Sequence, residues 1–483
     1  MIAALKRNKA LVLSVLFVLV NVALLAKGIL FGWAFPLILL VGVIAIYRYD
    51  WLIAFSVFAT PLSFNFEELD LGGVGFFFPT EPIFFGLLIL AVMQSILRSP
   101  VSVTFVKHPI SKVVLFSLFW MAVCAYMSTM PLVSAKYLLA RLWFVVVLFY
   151  LCGQLFKNIE RINLFLWLYM VPMCAVVLFS IYNLSTDSFS DMAAHWASQP
   201  FFKDHTSYGA VLAMYIPVAL IFCFRKQDSV LLKTAVIAVA TILVLGVIFS
   251  YTRAAWVSLI GALGVYIILK LRIQFKVVFT GLALVLGLFF IYQDQIVDSL
   301  EKNEKESSAE LTDHVESISN ISSDASNLER INRWNSAIRM FAAKPIFGFG
   351  PGTYMFKYAP FQRADEKTII STNFGEVGNA HSEYLGPLSE GGLIGMLVVV
   401  ALLIMTLRLG LNLYYEQEDS LQRDLTLGML LGLITYYIHG VLNNYLDTDK
   451  ASVPFWTFTA GLVAIDLWHK QKVKSKAPSQ QDA

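Results

Sequence analysis

The sequence predicts an all-α protein that threads a membrane many times, with about 12–14 transmembrane helices and one large outer loop containing short helices. Three observations predict it. First, of 483 residues, 58% are hydrophobic and only 14% charged, with a mean hydropathy of +0.69. A soluble domain of this size has no interior large enough for that much apolar surface. Second, runs of ~20 apolar residues recur, each long enough to cross ~30 Å of hydrocarbon at about 1.5 Å per residue. Third, the runs are continuous and not alternating, which excludes a transmembrane barrel.

Fourteen spans follow in order: roughly 10–26, 29–46, 51–64, 80–97, 113–129, 134–155, 162–183, 207–224, 231–250, 254–270, 276–292, 388–407, 425–443 and 453–468. The first is not followed by a small-residue cleavage site, so it is read as a retained helix and not a signal peptide. The third is short and ends at Thr60-Pro61-Leu62, which predicts a break or tilt. With the N-terminus in the cytoplasm, 21 of the 36 Lys and Arg residues fall in inner connections, and the short outer ones are nearly bare. The positive-inside rule therefore predicts cytoplasmic termini and outer segments at 184–206 and 293–387.

The chain divides accordingly. Residues 1–183 form N-terminal transmembrane helices. Residues 184–292 form central transmembrane helices with the outer loop 184–206. The large outer loop spans 293–387, C-terminal transmembrane helices span 388–470, and 471–483 form a cytoplasmic tail. The large loop is not uniform. Between Asp294 and Glu329 it holds ten acidic and two basic residues. The Ser/Asn-rich stretch Ser317–Ser323 predicts mobility. Leu328, Ile331, Trp334, Ile338 and Phe341 then recur at helical spacing, with Arg330, Arg333 and Arg339 off that stripe. Lys344-Pro345 ends the helix, and Phe347 to Tyr354 form a glycine-rich turn. No internal repeat is visible.

Polar residues with chemical potential gather at the outer face. His381 lies in Gly378-Asn379-Ala380-His381-Ser382-Glu383, between glycines that favour tight turns and close helix contact. A capping or interface histidine fits, and so does a neutral imidazole taking a proton from a sugar hydroxyl, oriented by Glu383 or Glu390. Arg253 opens a span at an outer turn, where it either snorkels or grips phosphate with a planar fork. Arg141 lies about eight residues into its span, roughly 12 Å deep, and a charge there faces a polar cavity or a partner. Lys203 and His205 sit where the outer loop re-enters the membrane. They either contact a diphosphate or merely accompany a helix start capped by Thr206 or Ser207. His439 and the Asn443-to-Asp449 run close the set, with Asp447 and Asp449 as candidate sugar ligands.

Absences narrow the chemistry. No glycine loop followed by Lys-Ser/Thr predicts nucleotide hydrolysis, and no His/Cys/Asp spacing predicts a metal. Cys124, Cys152, Cys174 and Cys223 all fall inside apolar runs, which predicts buried thiols and no disulfide. No cofactor and no nucleic-acid partner is expected.

The Thr252-Arg253-Ala254-x-Trp256 opening of a span, the large outer loop, the Lys344-to-Gly352 segment and Asn379-x-His381-Ser382 followed by Glu390-Gly391-Gly392-x-x-Gly395 resemble the O-antigen ligase and polymerase superfamily, over about residues 200–470. The resemblance implies a GT-C-like, metal-independent, inverting glycosyltransferase of the bacterial inner membrane. It would move a glycan from undecaprenyl diphosphate to an acceptor on the periplasmic face, O-antigen onto lipid A–core being the favoured reaction. Polymerisation and protein O-glycosylation are the alternatives within that chemistry. The resemblance makes His381 the base and Arg253 a diphosphate contact. The loop before Arg253 carries Lys203 and His205 but no arginine, so Arg141 or Arg330 is expected to supply the second contact. A lipid-linked glycan transporter is the alternative of another class. It should spread polar residues through many spans and repeat its halves, which this chain does not.

Overall fold

A computed structural model describes residues 2–27, 31–65, 76–97, 102–225, 229–273, 280, 281, 284, 287, 291, 292, 314–368, 371 and 378–476, with the backbone alone for 2–11, 13, 25, 31–38, 314–326 and 474–476. The chain is helical almost throughout. Among the described residues, an antiparallel pair of two-residue strands sets Phe64 against Phe78 and Asn65 against Phe77. Among the described residues, nine helices are long and apolar enough to cross a membrane, and Ser14–Leu24 and Thr80–Ile96 are shorter apolar helices. This is a multi-pass membrane protein.

The helices are α1 (Ile2–Ala26), α2 (Phe31–Ala59), α3 (Thr80–Leu97), α4 (Pro109–Tyr126) and α5 (Pro131–Phe144). Then come α6 (Ile159–Thr186), α7 (His205–Phe224), α8 (Val230–Ile248), α9 (Arg253–Lys270), α10 (His314–Ala343), α11 (Leu385–Glu416), α12 (Ser420–His439) and α13 (Asp449–Lys476). The spans read at 29–46 and 51–64 fall within α2, which breaks at Arg48, whose φ of −143° and ψ of 50° are not helical. Beyond Phe144, α5 continues as π-helical turns over Val145–Leu151.

Polar side chains start the helices by accepting orphan backbone N–H groups. Asn158 does so for α6, Ser229 for α8 and Asp419 for α12. At α7 the cap is Asp204, which accepts from the Ser207 N–H at 2.8 Å. Thr206 and Ser207, expected as caps from sequence, lie inside the first turn, because Asp204 is the residue with extended backbone.

The core centres on α7, whose residues Ser207 to Ala219 are all buried. It packs against α12, α8, α9 and α13. Apolar side chains on the outside, such as Val257, Ile260 and Leu263 of α9, stay exposed, as a lipid-facing surface requires. Helix α13 has the lowest hydropathy of the nine spans, 1.2, yet 89% of its window is buried. A helix surrounded by protein carries polar groups that a lipid-facing one cannot.

One end of the bundle gathers the functional candidates. Lys450 at the start of α13 donates to the Ser63 carbonyl just past α2 (2.7 Å). Thr129 between α4 and α5 donates to the Phe349 carbonyl (3.0 Å), and Thr252 before α9 donates to the His205 carbonyl of α7 (2.8 Å). So α2, α4, α6, α8 and α12 end here, and α3, α5, α7, α9, α11 and α13 begin here. The opposite end holds ion pairs: Arg48 and Arg161 with Asp50, Arg225 with Asp424, and His108 and Lys470 with Asp466. Of the span read at 276–292, residues 280, 281, 284, 287, 291 and 292 are helical, and the others lie outside the described residues.

Helix α10 corrects two expectations. It begins at His314, so it runs through Ser317–Ser323, where composition predicted mobility. Its buried face is also not the apolar stripe. Glu329, Asn332, Arg333, Ser336, Ala337 and Met340 are buried, whereas Ile338 is exposed. Spacing alone shows where the apolar side chains lie, but here the buried face is polar because it binds the irregular chain that follows.

Candidate active site

The site rests on a docked turn. Helix α11 breaks at Gly392 (φ 67°, ψ −167°), a conformation essentially restricted to glycine. A Cβ there would sit 2.1 Å from the Ile346 carbonyl oxygen. The freed backbone groups bond to the glycine-rich turn: Phe349 N–H donates to Ser389 O (3.0 Å), Gly350 N–H to Glu390 O (2.9 Å) and Leu393 N–H to Pro345 O (3.0 Å). Gly348, with φ 64°, meets the Glu390 backbone so closely that an added Cβ would lie 2.3 Å from its carbonyl carbon. The two glycine motifs are thus halves of one joint.

That joint places the His381 segment against α10. His381 itself has a left-handed backbone (φ 47°). Its N–H donates to Asn379 Oδ1 (3.0 Å) and its carbonyl accepts from Trp334 Nε1 (3.3 Å). Its Nδ1 lies 3.4 Å from Asn443 Oδ1. Burial, then the nearby Arg333 and Arg330 guanidiniums, push the imidazole down to about 4. It is therefore neutral at pH 7 and has a lone pair to offer.

The two arginines differ. Arg333 is buried, its Nε donating to Glu329 Oε1 (2.8 Å) and its Nη1 to the Asn379 carbonyl (3.2 Å). Burial opposes the Glu329 charge, yet bonds from Ser371 and Arg333 hold that carboxyl below its ordinary value. Arg333 is thus a neutralised brace for the loop. Arg330 has no carboxylate partner among the described residues. Its Nη1 donates to Asn327 Oδ1 (2.9 Å), and its Nε is buried without a partner. It acts electrostatically on His381, His439 and His205.

A cavity of about 440 Å³ lies beside this cluster and brings together Arg141, Lys203, Glu383, Glu390 and Asp447. Trp120, Tyr137, Tyr354 and Asn444 share its polar end; Met121, Cys124, Val398 and Leu402 line its apolar reach between α4 and α11. Ala380 and Ser382, which flank His381, also line it. Arg141 donates to the Leu446 carbonyl (3.0 Å) and to the Tyr137 hydroxyl (3.0 Å). Glu390 accepts the Tyr354 N–H (2.9 Å). Enclosure by protein, and then the Glu383 charge, raise the Asp447 carboxyl to about 6.

The remaining candidates are held by other contacts. Glu383 does not orient the imidazole. Its Oε1 accepts from the Tyr436 hydroxyl (2.5 Å) and the N–H groups of Tyr445 (2.9 Å) and Leu446 (3.0 Å). It clamps the α12–α13 connection, and Asn443 takes the place beside His381. Asp449 lies outside the cavity, buried, accepting from Ser63 (2.5 Å) and Thr80 (2.6 Å) hydroxyls. His205 begins α7, its ring 4.0 Å from that of His195, with Nδ1 buried and unpartnered. Arg253, first in α9, is exposed. The cysteines are free thiols, three buried and Cys223 half-buried.

Residues 238–400 match the family model described as O-antigen ligase. Over that segment the chain is similar to that family. No curated protein sequence matches the chain. The matched segment runs from α8 through the glycine turn and His381 into α11, and so holds Arg253, Arg330, His381, Glu383 and Glu390. Arg141, Lys203, His205, Asn443 and Asp447 lie outside it. The sequence reading named Arg333 and Asn443 but gave neither a role, because neither sits in a spacing motif; Asn443's place in the polar run with His439 was the available signal.

Proposed function

We propose that the protein transfers a glycan from undecaprenyl diphosphate to an acceptor sugar, most simply O-antigen to lipid A–core, at the periplasmic face of a bacterial inner membrane. The observation that carries this reading is the place of His381, a neutral imidazole whose neighbours Ala380 and Ser382 line the cavity and which feels the charge of Arg330, an arginine with no carboxylate partner among the described residues. An acceptor hydroxyl gives its proton to the imidazole as its oxygen attacks the anomeric carbon. The bond from that carbon to the diphosphate breaks, and the carrier lipid leaves with the electron pair, inverting the anomeric centre. Arg330, with Arg253 and Lys203, provides positive charge for the leaving diphosphate. Glu390 and Asp447 provide acceptors for sugar hydroxyls. Asp449 is left out of that role because it does not line the cavity, its Oδ2 accepting from the Ser63 and Thr80 hydroxyls.

A positioned base is typically worth ~10²–10⁴-fold. The test is single-turnover transfer by wild type and His381→Ala at matched protein level, with the product anomer read by NMR. Loss of transfer with donor binding intact supports the reading. Near-wild-type transfer removes the base, and a retained anomer removes direct displacement. A deletion strain separates the acceptors: rough core with polymer accumulated on the carrier means ligation, and core bearing a single repeat means polymerisation.

A further inference from the structure

We infer that Asn443 is a positioning residue that holds His381 as its Nδ1–H tautomer and so presents Nε2 as the base; this rests on the reading of His381 above. Both ends of the Asn443 amide face an imidazole. Its Nδ2 lies 3.2 Å from His439 Nε2, and its Oδ1 lies 3.4 Å from His381 Nδ1. Asn443 and His439 are almost fully buried, so neither can trade these partners for water. An amide nitrogen only donates, and an amide oxygen only accepts. With Nδ2 on His439, the His439 Nε2 must carry a lone pair and His381 Nδ1 must carry a proton.

The structure sets the Asn443 amide with Nδ2 towards His439 Nε2 and Oδ1 towards His381 Nδ1, so His439 accepts at Nε2 and carries its proton on Nδ1, and the amide oxygen is left for His381. The reversed amide would leave His381 with a proton on Nε2, unable to accept one from a hydroxyl.

The readout is the ¹⁵N spectrum of histidine-labelled protein in lipid nanodiscs, with His381 and His439 assigned by His381→Gln and His439→Gln. We expect His381 protonated on Nδ1 in the wild type and a mixture of tautomers in Asn443→Ala. That variant should lose turnover ~10²-fold, the cost of a misplaced catalytic group, with the donor KM unchanged. Asn443→Asp keeps an acceptor for Nδ1–H, so it should recover turnover and shift the acid limb to higher pH, because a carboxylate stabilises imidazolium. An Nε2–H tautomer in the wild type overturns the inference, as does wild-type turnover in Asn443→Ala. If Asn443→Ala does not fold, the wild-type tautomer and the Asn443→Asp pH profile decide. Failure of the base reading is distinct: His381→Ala would then transfer glycan whatever tautomer the spectrum shows.

Discussion

The Gly350 N–H donates to the Glu390 carbonyl at 2.9 Å, joining two glycine motifs forty residues apart into the support for the His381 loop. Glu390 is held twice, since its carboxylate also accepts the Tyr354 N–H. Its side chain therefore enters the cavity from a fixed backbone.

Gly392→Ala tests that joint. Its φ of 67° and the 2.1 Å approach to Ile346 O leave no room for a methyl group. The backbone term alone is of order 1–3 kcal/mol, so the purified variant should melt lower and lose transfer. Gly264→Ala in α9, where nothing lies within 4 Å, is the control and should melt like wild type or higher. Equal melting of Gly392→Ala and wild type would remove the joint from the account.

Arg330 and Arg333 should separate function from fold. Arg330→Ala should fold and bind donor more weakly, with Arg330→Lys restoring only part, because a point charge cannot match a planar fork. Arg253→Ala and Arg253→Lys should follow the same pattern. Arg333→Ala should instead destabilise the protein by about 3–5 kcal/mol, since it leaves Glu329 buried and unpaired. With guanidiniums as counter-charge, transfer should survive EDTA. Donor titrations and melting curves of the same preparations read all of these outcomes.

The pH profile follows from two displaced groups. His381 is pushed down to about 4, so the neutral base persists as pH falls from neutrality and is lost only as pH passes through that value. Turnover at saturating acceptor should stay flat down to about pH 5. Asp447 is raised to about 6, so its charge is lost as pH falls through 6. The acceptor KM should rise there while turnover holds, and Asp447→Asn should show the raised KM at pH 7. A fall in turnover centred near the ordinary histidine value would contradict the burial of His381.

Membrane orientation is tested by reporters. A fusion after Ser317 and one after Lys472 should report opposite sides, with Ser317 outside. The basis is the Lys and Arg distribution together with helices that alternate between the site end and the end carrying the Asp50, Asp424 and Asp466 pairs. A Ser317 reporter active only in the cytoplasm would reverse the scheme.

The multi-pass helical architecture was determined by the sequence alone, because burying apolar runs in lipid requires only length and continuity. So were the glycine motifs and His381, since a local backbone constraint leaves a local composition. Tertiary structure decided the rest. Gathering Arg141, Lys203, Glu390 and Asp447 into one cavity depends on how α5, α7, α11 and α13 pack, which no spacing encodes. The split between Arg330 and Arg333, three residues apart on one helix, depends on which guanidinium meets Glu329. Glu383 turned from the imidazole to the α12–α13 connection because two backbone N–H groups and a tyrosine hydroxyl there needed an acceptor, a demand visible only once the chain has folded.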